Sequence, residues 1–127
     1  MTDVERRSSQ EPVFRPLFAE AAATCPVESA IEAIGGRWKL LVLRSLFLDS
    51  EQRFNRLLET VPAISAKELT RNLRELEQTG LVVHRTDDGP PELYELSDLG
   101  KSLLPLFKEI GSFGERLRTH RMDRRKS

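Results

Sequence analysis

Side chains that bind phosphate oxygens and base edges recur at helical spacing in the middle of this chain. They lie at positions i, i+3, i+4 and i+7, and such positions share one face of an α-helix. Lysine and arginine donate hydrogen bonds to phosphate, arginine also pairs with the N7 and O6 edge of guanine, and threonine suits either contact. The residues are Lys67, Thr70, Arg71 and Arg74. Their pattern predicts contact with nucleic acid.

The helix that would carry these side chains has a marked beginning. Ser65 and Glu68 have the spacing of a capping box, in which a hydroxyl and a carboxylate each satisfy a backbone N–H of the first turn. The N–H groups and the helix dipole also favour an anion there, so Ser65 is a candidate phosphate contact. Gly80 is expected to follow the end of the helix. The opposite face is predicted to pack on the core through Ala66, Leu69, Leu73 and Leu76.

Three helices are predicted before this one. Pro26 suits a first helical position, and apolar residues repeat at helical spacing as far as Ile34, where two glycines follow. Residues 38–48 are apolar on nearly every side, which is typical of a helix at the centre of a core. A short helix is predicted over residues 55–61, with Asn55 as its N-cap and a proline directly after it.

A β-hairpin and a long helix are predicted to follow. Two short strands flank the turn sequence Asp88-Gly89-Pro90-Pro91, and the second runs from Glu92 to Leu96. Ser97 would cap the final helix, Pro105 would kink it, and the basic residues after Leu117 are expected to fray. The order of elements predicts a mainly α fold with a small β-hairpin wing, which is a winged helix-turn-helix.

In this fold, the second helix of the helix-turn-helix commonly binds DNA. Two short helices joined by a tight turn, with a ribbon after the second, hold that helix so that it enters the major groove of DNA. We therefore expect double-stranded DNA as the partner of the helix at residues 65–79. Arg53, Arg56 and Arg85 are weaker candidates for contact with the flanking backbone. Acidic side chains at Asp87 and Asp88 oppose phosphate contact by the tip of the wing.

Composition narrows the classes of function. Lysine and arginine number 20 and so do aspartate and glutamate, so the net charge is zero and bulk charge does not favour a nucleic-acid partner. A winged-helix protein-interaction module that does not bind DNA stays open as the alternative. One cysteine and two histidines are too few for a metal site, and no phosphate loop or catalytic pair indicates an enzyme, so neither metal nor cofactor is expected. Because no apolar run is long enough to span a membrane, we expect a soluble cytoplasmic protein without a membrane partner.

A set of short motifs covers residues 25–117. The motifs are Cys25-Pro26-Val27-Glu28, Gly35-Gly36-Arg37-Trp38, Arg53-Phe54, Ile64-Ser65-Ala66-Lys67, Leu73-Arg74-Glu75-Leu76-Glu77, Gly80-Leu81-Val82 and Leu104-Pro105. In this order they resemble the HxlR family of bacterial transcription regulators, which are related to the MarR regulators. Each motif alone is weak, but the ordered set is specific.

The resemblance implies a homodimer that binds a partly palindromic operator. We expect a repressor rather than an activator, and the sign of regulation stays open. The first and last helices would form the dimer interface, and the alternative that their apolar residues only cover the core of one chain stays open. Residues 1–24 would be a partly flexible N-terminal arm, residues 25–119 the DNA-binding and dimerisation domain, and residues 120–127 a basic C-terminal tail. The interface residues would be Val27, Ile31, Phe107, Ile110, Phe113 and Leu117.

The resemblance also implies a candidate redox sensor at Cys25. A thiol at a helix N-terminus has its thiolate stabilised by the helix dipole, which raises its reactivity toward oxidants and electrophiles. The alternative is that Cys25 is a small buried residue that begins a helix. An apolar pocket for a small-molecule effector, between the dimer helices and the DNA-reading part, also stays open.

Overall fold

The computed structural model describes residues 25–86 and 92–126. The predicted N-terminal arm and the tip of the wing, with Asp87 and Asp88, lie outside the described residues. The helices are α1 (Pro26–Ile34), α2 (Arg37–Leu48), α3 (Phe54–Thr60), α4 (Ala66–Gln78), α5 (Asp98–Lys101) and α6 (Leu104–Lys126). The strands are β1 (Glu51–Arg53), β2 (Val82–Arg85) and β3 (Leu93–Leu96). Within the described ranges, no helix combines the length and the apolar character needed to cross a bilayer.

Helix α2 lies at the centre of the core, as its nearly all-apolar sequence predicts. Its residues Val42, Leu43 and Leu46 are fully buried. Helices α3 and α4 pack against it, together with the inner side of the sheet. Burial of this apolar surface is the main favourable contribution to folding. The buried residues from these elements include Leu57, Leu69, Leu73, Leu76, Tyr94 and Leu96.

The β-sheet has one strand more than the predicted hairpin. The strand order is β1-β3-β2, and both pairings are antiparallel. Strand β1 has the sequence Glu-Gln-Arg, which offers no alternation of apolar and polar residues, so sequence periodicity could not indicate it. Strand β1 places Arg53 opposite Leu93, the first residue of β3 after the turn of the wing.

The predicted N-cap of the short helix is wrong. Helix α3 begins at Phe54, and Arg53 occupies the N-cap position without a side-chain hydrogen bond to the helix. Strand β1 ends at Arg53, so the chain passes directly from strand to helix and Asn55 is already inside the first turn. The predicted burial of Ala66 is also wrong, because Ala66 begins α4 on its exposed side.

The final helix is divided where the sequence predicts one kinked helix. Ser97 does cap a helix, since its hydroxyl accepts from the Gly100 N–H at 3.0 Å, but that helix is the short α5. The chain turns at residues 102–103, and α6 begins at Leu104. Pro105 therefore lies in the first turn of α6, where its missing N–H leaves no hydrogen bond unmade.

The basic C-terminal residues are helical, whereas the sequence was expected to fray after Leu117. Helix α6 continues to Lys126. After Gly114 the segment contains neither glycine nor proline, and arginine and lysine are good helix formers that favour the negative end of the helix dipole. Arg124, Arg125 and Lys126 lie in the last turn.

Candidate nucleic-acid interface

A tight turn joins α3 to α4. Val61 and Ile64 are buried and tie the turn to the core, while Ala63 adopts a positive φ of 66°. A left-handed backbone costs a residue with a Cβ about 1 kcal/mol, so tertiary packing must hold Ala63 in place. The turn is the one that the helix-turn-helix arrangement requires.

Ser65 caps the N-terminus of α4 as the sequence predicts, but the Glu68 half of the predicted capping box is wrong, because its carboxylate binds Arg71 instead of the Ser65 N–H. The Ser65 hydroxyl accepts from the Glu68 backbone N–H at 3.1 Å. The Glu68 carboxylate accepts from the Arg71 guanidinium at 2.5 Å, so it is engaged on the exposed side of the helix. The cap leaves the hydroxyl hydrogen of Ser65 available to an incoming acceptor, such as a phosphate oxygen.

The two faces of α4 are separated as predicted. Leu69, Leu73 and Leu76 are buried against the core. Asn72 is buried as well, and its side chain donates to the Glu68 carbonyl at 2.7 Å. The candidate DNA-contact residues Lys67, Thr70, Arg71 and Arg74 are all exposed, and they line one shallow concavity on the other face.

A long-range ion pair joins α4 to α2. Lys39 Nζ of α2 lies 2.8 Å from Glu75 Oε1 of α4. The hydrogen bond and the charge of Lys39 lower the pKa of the Glu75 carboxyl, and the charge of Arg71 adds to this. The sequence did not indicate this pair, because the residues are distant in the chain and neither belongs to a local motif.

The flanking arginines are placed in different surroundings. Arg53 is exposed beside α3 and lines a second shallow concavity with Asn55 and Glu92. Arg56 lies 3.4 Å from Glu59 and 3.8 Å from Asp49. Of the candidate contact residues, three cations form no ion pair among the described residues: Lys67, Arg74 and Arg53. An anionic partner can bind them without displacing a carboxylate.

The basic side chains of the wing lie close to carboxylates. Arg85 Nη1 lies 3.4 Å from Glu95. His84 stacks on Tyr94 with ring centroids 4.2 Å apart, and its two ring nitrogens face Glu92 at 2.7 Å and Glu77 at 3.4 Å. Burial, followed by the charges of Glu92 and Glu77, raises the pKa of Tyr94. His84 is thus held by carboxylates rather than turned toward a phosphate.

Cys25 occupies the N-cap position of α1, as its place before Pro26 predicts. Only 6% of its surface is exposed. Its backbone carbonyl accepts from the Ser29 N–H at 3.0 Å. The described residues contain no group of three histidine, cysteine, aspartate or glutamate side chains that could hold a metal ion.

The candidate dimer residues divide into exposed and half-buried sets. Ile31, Ile110 and Phe113 are 55%, 43% and 56% exposed. Phe107 is half-buried and packs against Phe47 of the same chain with ring centroids 5.2 Å apart. The remaining two candidates, Val27 and Leu117, are also half-buried.

The fold and the capped helix with an exposed basic face define a winged helix-turn-helix protein. A family model described as HxlR-like helix-turn-helix matches residues 33–122. The chain belongs to this family of transcriptional regulators, which confirms the resemblance of its motifs.

Relatives of known sequence support the same assignment. The uncharacterised HTH-type transcriptional regulator YdeP of Bacillus subtilis is 39% identical over 95 residues, which are 72% of this chain and 73% of YdeP. An uncharacterised HTH-type transcriptional regulator of Methanothermobacter thermautotrophicus is 39% identical over 98 residues, which are 76% of this chain and 74% of that protein. These relatives are transcriptional regulators rather than enzymes.

Solved structures with the same fold include redox-responsive regulators. The redox regulator HypR in its reduced form is 34% identical, with a TM-score of 0.66 over 73% of this chain and 93% of that chain. The reduced form of YodB from Bacillus subtilis is 34% identical, with a TM-score of 0.64 over 72% of this chain and 92% of that chain. HypR has also been solved in its oxidised form, and YodB after treatment with diamide.

Proposed function

We propose that this transcriptional regulator is a homodimeric repressor that reads a palindromic operator with α4. The observation that carries the proposal is the division of α4 into a buried apolar face and an exposed face with Lys67, Thr70, Arg71 and Arg74. Arginine suits guanine, lysine suits phosphate, and threonine suits either. Ser65 and Arg53 supply contacts to the flanking backbone, and Arg56 and Arg85 contribute after exchanging carboxylate partners for phosphates.

Two copies of α4 then occupy successive major grooves on one side of the DNA. A two-fold symmetric dimer places them about one helical turn, or roughly 34 Å, apart, so the operator has two inverted half-sites. The zero net charge makes binding depend on these few cations. Affinity therefore falls steeply with salt, because each phosphate contact releases counterions.

Apolar surface on α1 and α6 supports the dimer. Ile31 of α1 and Ile110 and Phe113 of α6 expose large apolar side chains, whereas a monomer this small normally covers such a surface. Half-buried Phe107, Val27 and Leu117 extend the surface toward the core. A second copy that covers it removes this area from water.

Selection of bound DNA from a random pool tests the proposal directly. We expect enrichment of an inverted repeat, and a reporter gene placed behind it should be silenced by the wild-type protein. Gel-shift titrations over a salt series should give a falling log–log line with a slope that counts the phosphate contacts. Absence of any shift even at low salt would instead favour a protein-interaction module.

Single substitutions on α4 test the residue assignments. Arg71→Ala or Arg74→Ala should each cost about 1 to 3 kcal/mol of operator binding if the side chain reads a base. Arg118→Ala is the matched control, because Arg118 is an exposed arginine on α6 rather than α4, paired with Glu115 at 3.5 Å. Normal operator binding by the Arg71→Ala/Arg74→Ala double variant contradicts the assignment.

Oxidants are a second proposed input, acting at Cys25. The supporting observations are its N-cap position on α1, beside the proposed interface, and the redox regulators of similar fold. Diamide, as a two-electron oxidant, would join the thiols of two subunits in a disulfide and take up both their protons. Because Cys25 is buried, the reaction requires α1 to move at its N-terminus. Release of the operator by diamide should be lost in Cys25→Ser, and unchanged release in that variant contradicts the proposal.

A further inference from the structure

A closed ring of hydrogen bonds joins three side chains from three elements. Gln52 of β1 is 1% exposed, and its Nε2 donates to Ser45 Oγ of α2 at 2.9 Å. Ser45 Oγ and Thr60 Oγ1 of α3 are 2.6 Å apart, and Thr60 Oγ1 donates to Gln52 Oε1 at 2.8 Å. The backbone carbonyls of Ser45 and Asp49 lie 2.9 Å and 3.1 Å from the same Nε2, so its two hydrogens are shared among three acceptors.

The chemistry of the partners determines the direction of every hydrogen bond in this ring. Two backbone carbonyls face the Gln52 amide nitrogen and can only accept, so the amide cannot turn over. Its oxygen can only accept, so the Thr60 hydroxyl hydrogen is used there. Ser45 must therefore donate to Thr60, and the ring runs in one direction without a spare donor. Among the described residues, no buried side-chain polar atom lacks a partner.

This ring supplies what the sequence of β1 lacks. The register of a strand is normally set by its buried apolar side chains, but Glu51 and Arg53 are exposed and the only buried side chain of β1 is Gln52. The ring fixes Gln52 against the end of α2 and the end of α3. In this position Gln52 pairs with Tyr94 of β3, and α3 begins shortly after it at Phe54.

We propose that Gln52 is a positioning residue for DNA binding, acting through Arg53. By holding β1 in one register, it sets where the Arg53 guanidinium lies relative to α4 and the wing. Without the ring, β1 can shift along β3. The Arg53 guanidinium is then no longer aligned with the phosphate backbone of the operator. The inference rests on the proposed function, because Arg53 has a position to keep only if the protein binds DNA.

A double-mutant cycle with Arg53 tests this coupling. Gln52→Met keeps the length of the side chain and removes its amide, and we expect operator affinity about three- to tenfold weaker with a smaller salt slope, as for loss of one phosphate contact in each half-site. In an Arg53→Ala background, the same substitution should change affinity and slope little, because the contact through which it acts is already absent.

Smaller changes to the ring provide the controls. Thr60→Val and Ser45→Ala should weaken binding in the same direction as Gln52→Met, whereas Thr60→Ser keeps the hydroxyl and should bind like the wild type. Ser102→Ala is the control for Ser45→Ala, because it removes a serine hydroxyl that donates to the Leu99 carbonyl outside the ring, and it should bind like the wild type. Circular dichroism and urea unfolding report whether each variant is folded during the binding assay.

The outcomes separate the two proposals. If selection enriches no DNA that the wild type binds, the proposed function fails. If the wild type binds, two results overturn the positioning role. One is wild-type affinity and salt slope in folded Gln52→Met. The other is an additive loss of affinity when Gln52→Met is combined with Arg53→Ala. If Gln52→Met does not fold, Thr60→Val and Ser45→Ala decide by the same criteria.

Discussion

At the scale of single residues, part of the basic face of α4 is already paired with carboxylates of the same helix. Arg71 is bound by Glu68 and lies near Glu75, whereas Lys67 and Arg74 form no ion pair among the residues that the structure describes. An arginine that must leave a carboxylate to bind phosphate gives up part of the energy of the new contact. If α4 binds DNA as proposed, Lys67 and Arg74 can therefore bind phosphate without first leaving a carboxylate.

Removing the charge of Glu68 should strengthen DNA binding. Glu68→Gln frees Arg71 and removes repulsion from phosphate, while the helix cap is retained because it uses the backbone N–H of this residue. We expect affinity about two- to fivefold higher, in line with the energy of an exposed ion pair, with a steeper salt slope in fluorescence-anisotropy titrations. Glu109→Gln, an exposed site on α6, is the control. Weaker binding by Glu68→Gln would mean that Glu68 instead orients Arg71 toward a base.

At the scale of elements, α4 is held by its cap, its apolar face and one ion pair to α2. The apolar face fixes which side of the helix is buried, but leucines tolerate some rotation about the helix axis. The Lys39–Glu75 pair lies at the edge of that face. We expect this pair to restrict the rotation and so to help orient Arg71 and Arg74.

The contribution of this pair should depend on pH. Lys39 lowers the pKa of Glu75 in the folded protein, so the pair stabilises the fold above the pKa that Glu75 has in the unfolded chain. The stabilisation is lost as the pH falls through the lowered pKa of the folded state.

Urea unfolding at neutral and acid pH measures this effect. Glu75→Gln should lower the unfolding midpoint at neutral pH, and the difference from the wild type should shrink in acid. Glu109→Gln should show no such difference at either pH. A difference for Glu75→Gln that persists unchanged in acid would mean that the amide disturbs packing rather than an ion pair.

At the scale of the whole molecule, the single chain leaves the apolar side of α6 uncovered. Helix α6 has no buried residue, although Phe113 and Ile110 lie on it. A second copy is the occupant that the proposed palindromic operator would require, since one α4 would read only one half-site.

A charge placed on this surface should dissociate the dimer. Phe113→Asp puts a carboxylate into a surface that the dimer would bury, and we expect a monomer in sedimentation velocity at micromolar concentration, with much weaker operator binding. Leu99→Asp is the matched control, because Leu99 is an equally exposed apolar residue on α5. A wild-type protein that sediments as a monomer at this concentration would contradict the dimer itself.

The sequence by itself determined the order of the elements, the cap at Ser65 and the two faces of α4. These features depend on residues within one or two helical turns, where spacing alone specifies which side chains share a face. The burial of Leu69, Leu73 and Leu76 and the exposure of Arg71 and Arg74 follow from that spacing.

Only the tertiary structure decided strand β1, the division between α5 and α6 and the partner of Glu75. Strand β1 exists because β3 pairs with it and because Gln52 bonds Ser45 and Thr60, which lie seven and eight residues away in two other elements. The apolar period runs on through residues 99–117, so the turn before α6 leaves no mark in it. Long-range pairing and buried polar contacts have no local period, and for this reason the register that places Arg53 could be found only in the folded chain.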